Sequence, residues 1–335
     1  MPASSPVAAV VGIGGLVLTD DEAALLRAHP PAGAILFGRN VRDPAQLAAL
    51  TAALHRVLPA EAVLMVDQEG GRVARLRPPH WRAHPPAARA GQVFAADAWL
   101  GRRLAWLTGA LIGLDCAAMG FDVVCAPVLD LRVAGAHDVI GDRAFAAEPE
   151  VVAELGRAMA EGLLAAGVQP VGKHAPGHGR ARADSHASLP VVETAALADD
   201  IAPFARNADL PWMMTSHLLY RAIDPDHPAS QSARVIRGLI RDRIGFAGVL
   251  VSDDVAMQAL SGPPQARVRA ALAAGCDLAL YCAGDTVGTA AVLEGCPRLT
   301  DAAVARLAAA RKLARDRLLA LDASALDAER STLLS

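Results

Sequence analysis

Short apolar runs rich in β-branched residues recur along this chain, and helical patterns fill the intervals between them. Eight such runs are present. They are Val7 to Gly12, Gly33 to Phe37, Ala62 to Val66, Phe121 to Ala126, Val168 to Gly172, Leu210 to Thr215, Gly248 to Val251 and Asp277 to Tyr281. Near-continuous apolar runs are typical of parallel strands that are buried on both faces. Closure of eight such strands, each followed by a helix, gives a (β/α)8 barrel of the TIM type.

Helix signals between the runs agree with this alternating order. Asp43 followed by Pro44 is typical of a helix start, and it predicts a helix over Ala45 to Leu58. Gly275 directly follows the helical stretch Arg267 to Ala274 and is expected to end it. A doubly wound open sheet has the same alternation and is the competing architecture.

Polar residues follow almost every predicted strand, and this favours the barrel over the open sheet. In a barrel the carboxyl ends of all strands surround one mouth, so residues that are far apart in sequence would converge there. These residues are Asp67 after the third strand, Pro127 and Asp130 after the fourth, Lys173 and His174 after the fifth, Ser216 and His217 after the sixth, and Asp253 and Asp254 after the seventh. No linker or internal repeat divides the chain, so we predict a single barrel domain over residues 1–335.

Composition excludes several classes of function. No uncharged apolar run is long enough to span a membrane, and Met1 to Leu18 lacks the basic start of a cleaved signal peptide. A net charge of -3 and 4% aromatic residues provide neither a basic stripe nor stacking surfaces for nucleic acid. The five cysteines are scattered without a CxxC pair, as is typical of reduced, buried thiols. We therefore expect a cytoplasmic protein with no membrane or nucleic-acid partner.

The densest group of chemically active residues lies in a glycine-rich segment after the fifth run. It reads Lys173-His174-Ala175-Pro176-Gly177-His178-Gly179 and is followed by Asp184-Ser185-His186. An aspartate two residues before a histidine can hold the imidazole ring. Because histidine titrates near neutrality, such a pair suits a group that donates a proton in one step and accepts one in the next. Taken alone, an Asp-x-His loop is more often plain protein surface.

Carboxylates mark the ends of two other runs. In Ser252-Asp253-Asp254, Asp253 is the candidate nucleophile, although one of the two carboxylates could simply cap a helix that begins at Val255. The third run ends in Asp67-Gln68-Glu69-Gly70-Gly71. An aspartate at such a strand end can accept hydrogen bonds from sugar hydroxyls, and twin glycines let the backbone approach a ligand closely. The plain interpretation of this segment is a tight turn with solvated charges.

Metal and nucleotide sites fit the sequence less well. Histidines near Asp184 and Asp253 could supply zinc ligands, but their spacing matches neither HExxH nor any short zinc pattern. Gly177-His178-Gly179 lacks the P-loop arrangement, and Gly12-Ile13-Gly14-Gly15 lacks the dinucleotide spacing. We therefore expect neither a metal nor a cofactor.

Five motifs occur together in one order along the chain. They are Val66-Asp67-Gln68-Glu69-Gly70-Gly71-Arg72-Val73, Ala126-Pro127-Val128-Leu129-Asp130, Gly141-Asp142-Arg143-Ala144-Phe145, the segment Lys173 to Gly179 with Asp184-Ser185-His186, and Ser252-Asp253-Asp254. This set closely resembles the bacterial β-N-acetylhexosaminidases of glycoside hydrolase family 3, over roughly Gly33 to Tyr281. The resemblance implies a (β/α)8 barrel and retaining hydrolysis of terminal β-linked N-acetylglucosamine. It also implies cytoplasmic action on muropeptides recovered from peptidoglycan.

The resemblance further implies roles for individual residues. Asp253 would be the nucleophile that forms a covalent glycosyl-enzyme, His186 would be the general acid/base, and Asp184 would orient His186. The residues that match sugar-holding positions of the family are Asp67, Arg75, Arg143, Lys173 and His174, with Asp130 as a supporting contact. A retaining glycosidase normally uses two carboxyl groups about 5 Å apart, so a histidine would here replace one of them.

Other functions stay open at this stage. A histidine acid/base repels inorganic phosphate less than a glutamate would, so a phosphorylase with the same nucleophile is an alternative. A non-catalytic sugar-binding barrel would be expected to lack Asp253 or His186, and both are present. A β-glucosidase is the nearest alternative by substrate, and the Asp-Ser-His segment favours the N-acetylglucosaminidases of the family.

The family loop often carries an acidic residue where this chain has Arg180, and Arg182 follows it. We expect a monomer that acts on a small carbohydrate substrate.

Overall fold

Parallel strands and surrounding helices form the computed structural model, which describes residues 5–185, 188–194 and 196–335. In this part of the chain eight strands close a barrel, and two short strands pair outside it. The strands are β1 Val7–Gly12, β2 Pro31–Leu36, β3 Val63–Val66, β4 Val123–Val124, β5 Gln169–Ala175, β6 Val191–Val192, β7 Trp212–Thr215, β8 Leu219–Tyr220, β9 Val249–Asp254 and β10 Leu278–Tyr281. The predicted barrel is confirmed, and the open sheet is wrong.

The barrel strands follow one another around the ring in chain order, and β10 closes it by pairing with β1 through Leu280 and Val10. Each of the eight predicted runs overlaps one barrel strand. The strand β5 is longer than predicted, because pairing with β7 continues to Ala175, whose carbonyl accepts a 2.8 Å hydrogen bond from the Ser216 amide. Lys173 and His174 therefore lie within a barrel strand rather than in the loop after it.

Helices connect the strands and pack around the barrel. Those in the described residues are α1 Asp20–Ala28, α2 Pro44–Val57, α3 Ala87–Ala96, α4 Ala98–Ala118, α5 Pro149–Ala165, α6 Ala198–Ala205, α7 Pro264–Ala274, α8 Thr286–Gly295, α9 Asp301–Arg317 and α10 Ala323–Leu334, with a π-helical segment at Arg234–Arg243. The predicted helix signals are confirmed. The Asp43 side chain caps α2 by accepting a hydrogen bond from the Gln46 amide, and Gly275 ends α7 at a φ of 121°.

Aliphatic side chains fill the barrel and the layer between the strands and the helices. Val10, Ile35 and Val66, from the first three strands, are fully buried. Trp212 on β7 is also buried, and its indole N–H donates a 2.9 Å hydrogen bond to the Gln169 side chain, so its polar atom is satisfied. Because this packing is continuous, the strands form a rigid base for side chains at their carboxyl ends. Within the described part of the chain, no helix is long and apolar enough to cross a membrane.

Candidate active site

A small polar cavity of about 160 Å³ lies at the carboxyl ends of the barrel strands. Six of the nine predicted site residues line it, namely Asp67, Arg75, Arg143, Lys173, His174 and Asp253. Asp130 lies behind His174, in contact with it. Asp184 immediately precedes Ser185, which does line the cavity. His186 lies outside the described residues, so its predicted pairing with Asp184 stays a prediction.

Lys173 is the centre of a buried network of charges on one wall of this cavity. Its side chain is 2% exposed, and its Nζ lies 2.9 Å from Asp67 Oδ1 and 2.5 Å from Glu69 Oε1. Arg143 forms a bidentate pair with Glu69, with Nε and one terminal nitrogen each at 2.8 Å from a carboxylate oxygen. Arg75 lies 3.3 Å from the second oxygen of Asp67. Three cations thus hold two carboxylates in fixed positions.

The network keeps Asp67, Glu69 and Lys173 ionised at neutral pH. Burial acts to raise the pKa of Glu69, but the charges of Arg143 and Lys173 outweigh it and lower the pKa to about 2. The pKa of Asp67 lies below its usual range for the same reason: burial is opposed by Lys173 and Arg75. Burial would lower the pKa of Lys173, yet Asp67 and Glu69 raise it above its ordinary value. This wall therefore presents fixed charged donors and acceptors to a ligand.

Asp130 orients the His174 ring. Its carboxylate is fully buried, and Oδ2 lies 2.6 Å from His174 Nδ1. The same carboxylate accepts hydrogen bonds from the backbone amides of His174, at 3.2 Å, and His178, at 2.6 Å. Burial opposes ionisation of Asp130, but the adjacent His174 lowers its pKa overall. A carboxylate can only accept a hydrogen bond, so His174 Nδ1 carries the proton in this contact. The other ring nitrogen, Nε2, lies 3.5 Å from a terminal guanidinium nitrogen of Arg143.

Asp253 and Asp254 are the last two residues of β9, and the structure gives them different surroundings. Asp254 Oδ1 accepts 2.9 Å hydrogen bonds from the amides of Ala256 and Cys282, and burial raises the pKa of this carboxyl group. Asp253 lines the cavity, and its Oδ1 accepts from the Asp254 amide at 2.8 Å. The predicted helix from Val255 is wrong, because a turn follows β9 and the next helix begins at Pro264. Asp254 stabilises this turn and the end of β10.

His178 ties the loop after β5 to the barrel. Its Nε2 lies 3.1 Å from Ser185 Oγ, and both residues are buried. Its backbone amide is held by Asp130. Burial, followed by the nearby charge of His174, lowers the pKa of His178 to about 4, so the ring is neutral at pH 7. The segment that carries Asp184 is therefore anchored beside the cavity through Ser185.

Two of these residues have no predicted role. Glu69 belongs to the motif Asp67-Gln68-Glu69-Gly70-Gly71, but its partner Arg143 lies 74 positions away. No pattern in the sequence around either residue indicates that they form an ion pair. His178 stands in the glycine-rich segment, yet its bond to Ser185 depends on how the loop folds back. Among the described residues, no group of three or more histidine, cysteine or acidic side chains could hold a metal ion.

Comparison with known proteins agrees with the barrel and its motifs. Residues 10–312 match the family model described as glycosyl hydrolase family 3 N terminal domain. The chain is 41% identical over 288 residues to a beta-hexosaminidase of Bordetella parapertussis, covering 84% of this chain and 81% of the relative. It is 44% identical over 280 residues to a beta-hexosaminidase of Thioalkalivibrio sulfidiphilus, covering 82% of this chain and 80% of the relative.

The fold is also similar to that of a solved structure. NagZ from Neisseria gonorrhoeae, in complex with N-trifluoroacetyl-D-glucosamine, superposes with a TM-score of 0.88 at 30% identity, over 100% of both chains. The matched family model covers most of the chain, and the relatives are similar over most of their own lengths. The chain therefore belongs to glycoside hydrolase family 3 and is a β-N-acetylhexosaminidase of that family.

Proposed function

We propose that this enzyme is a retaining exo-β-N-acetylglucosaminidase that removes terminal N-acetylglucosamine from peptidoglycan-derived muropeptides. The observation that carries the proposal is the placement of Asp253 in the same small cavity as the buried network of Asp67, Glu69, Arg143 and Lys173. A cavity of only about 160 Å³ that is lined by several charged side chains suits the terminal sugar of a chain rather than an internal one.

The network supports a role in holding the sugar. Hydroxyl groups both donate and accept hydrogen bonds, so a wall of alternating carboxylates and cations can bind several of them at once. We assign Asp67, Arg75, Arg143, Lys173 and His174 to this task, with Asp130 orienting His174. Because these groups are held by buried ion pairs, they need little reorganisation when the sugar enters.

We assign the nucleophile to Asp253. Its carboxylate would attack the anomeric carbon, and the bond to the leaving oxygen would break as the glycosyl-enzyme forms. In the second step, water would attack the same carbon and release Asp253. Two inversions give net retention of configuration, so the first sugar formed would be the β-anomer.

We assign proton transfer to His186, with Asp184 as the residue that orients it. The general acid protonates the leaving oxygen in the first step and the general base activates water in the second, and an imidazole suits both tasks near neutral pH. The support in the described residues is the position of Asp184, beside Ser185 at the cavity wall.

The natural setting is part of the same proposal. The solved Neisseria structure contains an N-acylated glucosamine, and this supports N-acetylglucosamine as the sugar. All five cysteines are free and buried, which supports a reducing compartment and hence the cytoplasm. Action as a monomer is part of this proposal.

The test compares 4-nitrophenyl β-N-acetylglucosaminide with the matching β-glucoside, with and without inorganic phosphate. We expect preference for the N-acetyl sugar, no effect of phosphate, and the β-anomer as the first product in a proton NMR time course. Formation of a sugar phosphate would establish a phosphorylase, and an initial α-anomer would contradict the covalent route.

The Asp253→Asn variant tests the nucleophile. We expect kcat to fall by about 10³-fold or more, because an amide cannot form the glycosyl ester. Asp242→Asn changes the same atoms at an exposed position of the π-helical segment and is expected to keep wild-type activity. Near-normal turnover by Asp253→Asn would show that another residue is the nucleophile.

A further inference from the structure

A second, larger cavity lies beside the active site. We call it the loop groove; its volume is about 570 Å³, and it lies between residues 133–136 on one side and Arg180, Arg182 and residues 191–194 on the other. The wall formed by Ala134, Gly135 and Ala136 has no side chain beyond Cβ, and a Cβ added to Gly135 would meet no atom within 4 Å. This small-residue wall leaves the groove open to a ligand.

The loop groove and the active-site cavity share the same two loops. Ser185 lines the active-site cavity and Arg182 lines the loop groove, and three residues of extended chain span at most about 11 Å. In the other loop, Ala136 lines the groove and Val139 lines the cavity. The His137 amide donates a 2.8 Å hydrogen bond to the Ala181 carbonyl and joins the loops. A substrate with its terminal sugar in the cavity can therefore reach the groove with the next part of the molecule.

The charge of the loop groove favours an anion. Arg180 pairs with the buried Asp200 at 2.7 Å, and Glu193 pairs with Arg221 at 3.0 Å. Two of the three charged groups in the lining thus have an oppositely charged partner already. Arg182 is the third, and it is exposed. Counting these five side chains, the positive charges exceed the negative ones by one.

We propose that the loop groove binds a carboxylate of the aglycone through the guanidinium of Arg182. A guanidinium can donate two parallel hydrogen bonds to a carboxylate, which gives direction as well as attraction. The peptide carboxylates of a muropeptide have this chemistry, so the inference rests on the proposed function and names the residue that recognises the acidic part of the substrate. Chitobiose, the neutral disaccharide of N-acetylglucosamine, has no carboxylate to pair with this arginine.

The experiment measures KM and kcat for two disaccharide substrates. One is chitobiose, and the other is N-acetylglucosaminyl-N-acetylmuramyl-L-alanyl-D-glutamate. The variants are Arg182→Gln, which removes the charge, and Arg182→Lys, which keeps the charge but loses the bidentate geometry. Arg56→Gln is the matched control, because Arg56 is exposed in the last turn of α2.

In Arg182→Gln we expect the ratio of KM for the acidic substrate to KM for chitobiose to rise about 3- to 10-fold, with a smaller rise in Arg182→Lys. The ratio in Arg56→Gln should match the wild type. Added salt should raise the ratio in the wild type and have less effect in Arg182→Gln, because salt screens an exposed ion pair.

The inference would be overturned if the ratio of KM values in Arg182→Gln equalled the wild-type ratio, including the case in which KM rises equally for both substrates. Either result leaves the proposed function intact as long as the wild type hydrolyses the acidic disaccharide. Failure of the wild type to hydrolyse any β-N-acetylglucosaminide would refute the proposed function itself, and the inference with it.

Discussion

Replacing Lys173 by methionine should strongly destabilise the protein. The substitution keeps an unbranched side chain in a site that is 2% exposed and removes the cation between Asp67 and Glu69. The lowering of the Glu69 pKa from 4.5 to about 2 corresponds to about 3 kcal/mol of stabilisation at neutral pH, which Lys173 shares with Arg143. Removing one partner from a buried ion pair typically costs about 3–5 kcal/mol, because a charge is left buried without compensation. We expect a loss in this range at pH 7.

The loss should depend on pH in a defined direction. Glu69 has a lowered pKa in the folded protein, so its contribution is complete above the unfolded value of 4.5 and disappears as the pH falls through about 2. In Lys173→Met the Glu69 carboxylate lacks one of its two cationic partners, so its protonation costs less free energy. Acidification from pH 4.5 to pH 2 should therefore lower the free energy of unfolding of the variant by less than that of the wild type. The stability curves of wild type and variant should therefore approach each other between pH 4.5 and pH 2.

The assay is urea unfolding, followed by circular dichroism at a series of pH values. The chain offers a matched control in its other lysine, Lys312, which is exposed and pairs with Asp316 one turn away on α9. Lys312→Met should cost less than about 1 kcal/mol, as is usual for exposed pairs. If Lys173→Met costs no more than Lys312→Met at pH 7, the buried network does not stabilise the barrel as argued.

Two further predictions concern the groups behind the cavity. Asp130→Asn should lower kcat/KM for 4-nitrophenyl β-N-acetylglucosaminide about 10- to 100-fold, because an amide cannot replace the carboxylate that holds His174 Nδ1 and two backbone amides. Activity within about two-fold of wild type would contradict the orienting role of Asp130. His178→Gln tests the buried histidine, whose pKa is about 4 when folded and 6.5 in its ordinary state. Between these two values the unfolded chain binds a proton at His178 and the folded protein does not. The free energy of unfolding of the wild type should therefore fall by about 3 kcal/mol from pH 7 to pH 4, a loss that the variant lacks. Parallel stability curves in urea unfolding would refute the assignment.

The sequence was sufficient for the barrel because strand and helix signals are local. The period of the apolar residues and the capping pair Asp43-Pro44 depend only on neighbours along the chain. The polar strand-end residues could also be predicted, since every parallel strand of a closed barrel ends at the same mouth. This is why Asp67, Lys173 and Asp253 could be expected at one cavity before any distance was known.

Contacts between distant segments could not be predicted in this way. Arg143 meets Glu69 across 74 positions and Asp130 meets His174 across 44. No periodicity links such pairs, because their approach depends on the twist of the strands and the path of two long loops. The same limit applies to Asp254, because a helix cap was the alternative role for one of the two carboxylates Asp253 and Asp254. One of its actual partners, the Cys282 amide directly after β10, lies 28 positions away.

The arrangement separates the groups assigned to sugar binding from the group assigned to proton transfer. Lys173 and His174 lie in β5, where ladder hydrogen bonds and the buried Asp130 fix them. Asp184 lies in the loop that follows, and the contact between His178 and Ser185 joins that loop to the barrel. Groups that must match hydroxyls in the ground state gain from such rigidity, because they need little reorganisation when the sugar enters. Because Arg182 lies in this same loop, a carboxylate bound at Arg182 would add a contact between the aglycone and the loop that carries Asp184.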